Sequence, residues 1–305
     1  MFDVFQYTTR PNEDLFFQKD DADDLRLGEL ISNNDYEQAE IIILGCPQDE
    51  GVQRNHGRPG AALAPEAIRR QFYKLTNFGI NAAVYDLGDT IIQPTLEETH
   101  DIHTHIVEQI LLASKKLVIL GGGNDISYPD GAAMAKVFGR ENWSALNIDA
   151  HFDMRTDFPR NSGTPYRQLL DENFLSPKNF YEIAYQRQAV SPVHYDYLKK
   201  SGVNLTSLEE FQTSENKFDE LLAGNLSIFW GFDVDAVRAA DAPGVSASSP
   251  IGLTAEQFCS LAKIAGYSPN TKIIEFTEVN PHFDIDNRTA KLAAIAMHRF
   301  ICAAK

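Results

Sequence analysis

The sequence predicts an α/β protein built on a parallel sheet with helices over both faces. Eight short apolar runs recur along the 305-residue chain. Most lack the polar alternation of a half-exposed strand, as strands buried on both faces require. Helix-length amphipathic segments separate many of them, and strands alternating with helices form parallel sheets. No internal repeat, low-complexity linker or shift in composition divides the chain. A single domain is expected over 39–305, after an acidic lead-in over 1–38.

The lead-in is broken by Pro and Asn and is expected to be partly ordered. The strand candidates then follow in order: "IIILGC" (41–46), "AAVYDLG" (82–88), "KLVILGG" (116–122) and "WSALNID" (143–149). After these come "FYEIA" (180–184), "VNLTSL" (203–208), "LSIFWGFD" (226–233) and "KIIEFTEV" (272–279). Helical patterns are "APEAIRRQFYKL" (64–75), "ETHDIHTHIVEQILLAS" (98–114), "TAEQFCSLAKIA" (254–265) and the C-terminal 286–305. Thr254 with Gln257 forms a capping-box signature for the third of these.

Bulk properties exclude some functions. A net charge of −16 and a pI near 4.9 oppose binding to nucleic acid or to an anionic membrane face. A small cationic or zwitterionic substrate suits that field better. Three cysteines, Cys46, Cys259 and Cys302, fit a reducing compartment. The opening "MFDVFQYTTRPNED" has neither a basic region nor an apolar core of a signal peptide. No apolar run approaches a membrane span, so a soluble, cytoplasmic protein is expected.

The polar residues that close the strands carry the chemistry. "GGGND" follows the third strand, "DAHFD" closes the fourth, "DVD" the seventh and "EVNPHFD" the eighth. Ligands of open α/β sheets bind at such carboxyl ends. Asp149, His151 and Asp153 are spaced at i, i+2, i+4, and Asp233 and Asp235 at i, i+2. On extended backbone each set shares one face. A single Asp there is ordinarily a turn former or a helix cap. Four acids crowded together and unpaired would instead cost several kcal/mol each, to an order of magnitude. Two divalent cations balance them. Mostly oxygen ligands with one imidazole suit an ion such as Mn²⁺, and there is no cysteine cluster of the kind Zn²⁺ favours. Two such ions about 3.5–4 Å apart can hold a shared hydroxide at neutral pH, the expected nucleophile.

These same motifs, "DAHFDMR", "GFDVDAVRAADAPGVSA" and "EVNP", resemble the signatures of the ureohydrolases, the arginase and agmatinase family. "DEGVQRNHGRPGAALAPEAIR" (49–69) and "NSGTPYRQ" (161–168) are most similar to its formimidoylglutamase branch. The resemblance runs from about residue 20 to the C-terminus. It implies a three-layer αβα sandwich around an eight-stranded, mostly parallel sheet, two Mn²⁺ per subunit, and a homo-oligomer, trimer or hexamer. The implied reaction is hydrolysis of N-formimidoyl-L-glutamate to L-glutamate and formamide, in histidine degradation. By the same resemblance Asp149 and Asp233 would bridge both ions. Asp153 would hold the A ion and move a proton, while His151 and Asp235 would hold the B ion. Glu278 would pair with the substrate amidinium, which is planar and can give a carboxylate two hydrogen bonds.

Where most of the family has a histidine ligand to the A ion, this chain has Asn124. An amide oxygen is a poorer donor to Mn²⁺, so a weakened A site is expected, and Asn124→His is expected to raise Mn²⁺ affinity. Asp125 either substitutes or, as expected here, caps the following helix. Arg167 is the first candidate for the substrate carboxylates and Arg54 the second, each also readable as a solvated surface charge. Ser162 stands in the loop where arginase-like relatives offer a proton-shuttling histidine. The histidines of "HDIHTH" (100–105) read as an ordinary exposed or half-buried helix face. Two rivals stay open: a ureohydrolase for a guanidino substrate such as agmatine, and a catalytically silent relative with a weakened metal site.

Overall fold

All eight apolar runs form parallel strands, and all but the edge strand at 204–207 are mostly buried, because Val, Ile, Leu and aromatic side chains on both faces leave a strand no stable place except the middle layer. The computed structural model describes residues 2–304 apart from 214–217, 219–221 and 223. Its strands are β1 (Thr8–Thr9), β2 (Ile41–Gly45), β3 (Val84–Thr90), β4 (Lys116–Leu120), β5 (Trp143–Ile148), β6 (Phe180–Tyr185), β7 (Asn204–Ser207), β8 (Ser227–Asp233) and β9 (Thr271–Thr277). They form one sheet in the order β1-β3-β2-β4-β9-β8-β5-β6-β7.

The sheet therefore has nine strands among the described residues, where eight were expected. The extra one is β1, two residues of the lead-in paired antiparallel with Thr90 and Asp89 of β3. Two threonines carry no periodic signal. They are held there because β3 would otherwise present an open edge.

The helices are α1 (Leu27–Ile31), α2 (Glu50–Arg54), α3 (Ala64–Phe72), α4 (Leu96–Leu112), α5 (Ser127–Phe138), α6 (Pro165–Asp171), α7 (Pro192–Ser201), α8 (Leu208–Thr213), α9 (Ala255–Tyr267) and α10 (Arg288–Ala303). The Thr254–Gln257 capping box starts α9 as expected, and a second one, Thr95 with Glu98, starts α4. Strand residues sort by parity into two cores. Leu146, Ile148, Trp230, Phe232, Ile274 and Phe276 pack with α3, α9 and α10. Ala145, Phe229, Leu117, Ile119 and Ile273 pack with α4, α5 and α6. Each large side chain fully removed from water, such as Phe229 or Phe232, contributes roughly 1.5–3 kcal/mol. The result is an αβα sandwich.

Two expectations fail on the α4 side. His100 and His103 are fully buried, not exposed or half-buried. His100 Nε2 lies 2.8 Å from Asp125 Oδ2, and His103 sits between Thr90 Oγ1 (2.7 Å) and Asp130 Oδ1 (3.1 Å). Asp125 does not cap α5, whose N-cap residue is Ile126. It accepts hydrogen bonds instead from Gln48 and His100. These contacts tie the loop after β4 to α4 and to the loop after β2, and so brace one wall of the site.

Candidate metal centre and substrate cavity

The carboxyl ends of β4, β5, β8 and β9 meet at one floor, and each contributes to it. Asp149 follows the last residue of β5, Asp233 ends β8, Asp235 sits in the 3-10 turn Val234–Ala236, Asn124 opens the turn Asn124–Ile126 beyond β4, and Glu278 follows β9. Asp153 and Glu278 have φ of +48° and +64°. Non-glycine residues there cost of order 1–3 kcal/mol and occur where surrounding structure over-determines them. Here the strained backbone belongs to two of the acids that face the cavity.

The acids converge in two overlapping groups. Ligand atoms of Asp149, His151 and Asp235 lie within 4.8 Å of one another, and so do those of Asp149, Asp153 and Asp233. Asp149 belongs to both groups. Asp149, Asp233 and Asp235 are almost wholly buried, and among the described residues no lysine or arginine pairs with them. Their nearest cationic group is His151, whose Nδ1 stands 3.3 Å from Asp149 Oδ1 and 3.4 Å from Asp235 Oδ2. The electrostatics follow from that crowding. Burial raises the carboxyls of Asp149, Asp153 and Asp233, with neighbouring acids adding to it. Asp235 above all pushes the His151 imidazole up to about 12.

The donor set fits two divalent ions: two groups of three ligands, oxygen-rich with one imidazole, sharing a carboxylate. Hydrogen bonds also hold the ligands in place. Asp149 Oδ1 accepts the His151 N–H (2.7 Å), Asp149 Oδ2 the Asn147 side-chain amide (3.2 Å), and Asp233 Oδ1 the Asp235 N–H (2.9 Å). Such partners orient metal ligands and tune them.

Asn124 has a more particular arrangement. Its Nδ2 donates to Asp153 Oδ2 at 2.5 Å, while its Oδ1 accepts from Ser127 Oγ and Thr277 Oγ1, both at 3.0 Å. Its backbone N–H donates to Glu278 Oε1 at 2.9 Å. Glu278 Oε2 has no hydrogen-bond partner among the described residues. Burial raises the Glu278 carboxyl to about 8. One buried acid oxygen is left ready for a cationic donor.

Below the floor lies a second polar row. Glu182 of β6, Asn147 of β5, Gly231 of β8 and Glu275 of β9 stand in register across four neighbouring strands. Gly231 is required there, since a Cβ would come within 2.5 Å of the Tyr166 hydroxyl. Burial holds both glutamates well above the ordinary carboxylate range.

A cavity of about 600 Å³ opens over the floor, lined by His151, Asp153, Asp233, Asp235 and Glu278 and by Asn55, Arg155, Ser162, His194 and Ser246 among others. Ser162 is therefore at the site, its hydroxyl accepting from Asn55 Nδ2 at 3.1 Å. Arg167 and Arg54 do not line this cavity. Arg167 pairs with Asp171 (2.7 Å) and lies over the Tyr197 ring (4.1 Å). Arg54 pairs with Glu50 (2.6 Å) and Glu97 (2.7 Å) and borders a neighbouring cavity with His56. The arginine that does line it is Arg155, 56% exposed at its side chain and only loosely paired, 3.7 Å from Asp157. Gly163 leaves room for its stem, because a Cβ there would meet Arg155 Cδ at 2.8 Å. No local spacing marks it, because Arg155 lies beyond the end of β5 and past the left-handed backbone of Asp153.

Comparison with known proteins agrees with this geometry. Residues 39–302 match the profile of the arginase family. The chain is 32% identical to the formimidoylglutamase of Staphylococcus carnosus over 267 residues, 85% of each chain. It is 30% identical to that of Staphylococcus haemolyticus over 269 residues, 86% of this chain and 85% of the other. The fold superimposes on Trypanosoma cruzi formiminoglutamase with Mn²⁺ at a TM-score of 0.85 and 33% identity, covering 92% of this chain and 98% of that one. From the acids at its strand ends to its overall topology, the chain belongs to the arginase family, hydrolases of C–N bonds.

Proposed function

We propose that the protein hydrolyses N-formimidoyl-L-glutamate to L-glutamate and formamide, a step of histidine degradation, with two Mn²⁺ held by Asp149, His151, Asp153, Asp233 and Asp235. The observation that carries the reading is one cavity with two ligand groups sharing Asp149 at its floor and Arg155 in its wall. A guanidino substrate without carboxylates has no use for that arginine. Relatives named formimidoylglutamase at about 30% identity support the same choice.

Bound divalent ions would supply charge compensation for the acids and an activated water for attack on the formimino carbon. The chain's own groups do the rest. Glu278 offers Oε2 to the amidinium. A carboxylate there can accept hydrogen bonds from that planar cation. Arg155 is placed for a substrate carboxylate, with Asn55 and Ser162 as neutral donors beside it. Asp153, at the cavity floor, is placed to relay a proton to the leaving glutamate nitrogen. Homo-oligomeric assembly and a cytoplasmic location belong to the same proposal. No helix among the described residues is long and apolar enough to cross a membrane.

The test is a substrate panel of formimidoylglutamate, arginine, agmatine and guanidinobutyrate with Mn²⁺-loaded protein. Formamide and glutamate released from the first, far faster than urea from the others, is the expected result. Urea as the main product would replace this reading with a guanidino hydrolase, and inactivity on all four with bound Mn²⁺ would leave it without support.

A further inference from the structure

We infer that His194, on the first turn of α7, receives the second carboxylate of the substrate while Arg155 receives the first. The inference rests on the formimidoylglutamate reading above and completes its account of substrate binding.

N-Formimidoyl-L-glutamate brings one amidinium and two carboxylates. Asp153, Asp233, Asp235 and Glu278 line the cavity, so the amidinium end belongs among these acids. Both carboxylates must then lie toward the outer walls. Among the described residues the basic side chains that line the cavity are His151, Arg155 and His194. His151 stands at the floor, beside Asp149 and Asp235. Arg155 and His194 are left for the two carboxylates.

These two residues come from different elements. Arg155 lies in the loop beyond β5, whereas His194 belongs to α7, after β6, with Ala189, Val190 and Ser191 lining the same wall. A dicarboxylate can reach both walls, and a substrate with one carboxylate cannot use both. His194 is half-buried, and its imidazole has no hydrogen-bond or ion-pair partner among the described residues. Burial, then Arg167 of α6 and Arg155, hold the imidazole below its ordinary pKa, and Asp157 opposes them. Two cations against one acid make this end of the cavity positive, in a chain whose net charge is −16. A neutral imidazole keeps one N–H to donate. An arriving carboxylate thus meets a favourable field and a donor with nothing else to bind.

The test is steady-state kinetics of Mn²⁺-loaded protein with formimidoylglutamate and two shortened substrates. N-Formimidoyl-4-aminobutyrate lacks the carboxylate beside the reacting nitrogen, and N-formimidoyl-2-aminobutyrate lacks the distal one. His194→Ala should raise KM for formimidoylglutamate by about threefold or more and leave kcat within about twofold. It should raise KM for one shortened substrate and spare the other, and Arg155→Ala should show the opposite pattern. Where a shortened substrate turns over too slowly, its competitive inhibition constant replaces KM. If His194→Ala does not fold, His194→Phe keeps a ring without the donor and carries the same prediction. An unchanged KM, or a change that does not depend on which carboxylate is present, would overturn the proposal. A parent protein that binds Mn²⁺ but releases no glutamate from formimidoylglutamate would instead sink the substrate reading beneath it.

Discussion

Replacing Arg155 by alanine isolates the proposed substrate contact from the metal chemistry. The side chain is 56% exposed and its ion-pair partner among the described residues, Asp157, stands 3.7 Å away. The guanidinium is therefore free to take a substrate carboxylate. A hydrogen bond between charged groups contributes about 1.5–3 kcal/mol, and exposure on this scale reduces that to about 1–2 kcal/mol. At 1.36 kcal/mol per decade, kcat/KM for formimidoylglutamate should fall by roughly fivefold to thirtyfold. Arg155 holds the end of the substrate that does not react, so the loss should appear in KM with kcat nearly unchanged. The assay is glutamate release across a range of substrate concentrations. Arg167→Ala and Arg54→Ala serve as controls, because both arginines are engaged with neighbouring acids outside this cavity. They should keep KM within about twofold, a change of at most about 0.4 kcal/mol. An unchanged KM in Arg155→Ala, or a larger rise in either control, would refute the assignment.

Other predictions follow from the buried groups. Glu278 has a folded pKa of about 8 against an ordinary 4.5, so between those values the native state holds a proton that the unfolded chain has released. Stability of the metal-free protein should then fall as pH rises through that window, by up to about 1.4 kcal/mol per unit. Urea midpoints from pH 5 to pH 8 check this, and Glu278→Gln should flatten the slope; a midpoint that climbs with pH would reverse the sign. Gly231→Ala drives a methyl group to 2.5 Å from the Tyr166 hydroxyl and should cost about 1–3 kcal/mol. A thermal melt measures it, and adding Tyr166→Phe should recover part of the loss.

Much of this was legible in the chain because its signals are local. Strands buried on both faces must be apolar throughout, so seven of the eight parallel strands stood out as continuous runs, while the edge strand β7 is only partly buried. Asp149, His151, Asp153, Asp233 and Asp235 stood out because period-two acids ending such runs have few other reasons to exist. What stayed hidden depends on partners distant in sequence. Thr8 and Thr9 join the sheet only because β3 leaves an edge for them. His100 and His103 lie two turns and one turn before Ile106 and Val107 on the same buried face of α4, which continues to Ile110. Their polarity hid that stripe, and their acid partners Asp125 and Asp130 follow in the next strand–helix unit. Arg167 looked placed by its motif, yet the i, i+4 acid Asp171 claims it. Arg155 reaches the cavity wall only through the fold of the loop beyond β5, after the left-handed Asp153, so no strand periodicity marked it.

The central claim is that Asp149 is shared by two metal ions, and a Mn²⁺ titration of the metal-free protein tests it most directly. Two ions should bind per chain, and Asp149→Asn should weaken both, whereas Asp235→Asn should weaken one. Two full-affinity ions in Asp149→Asn, or none in the parent, would contradict the account.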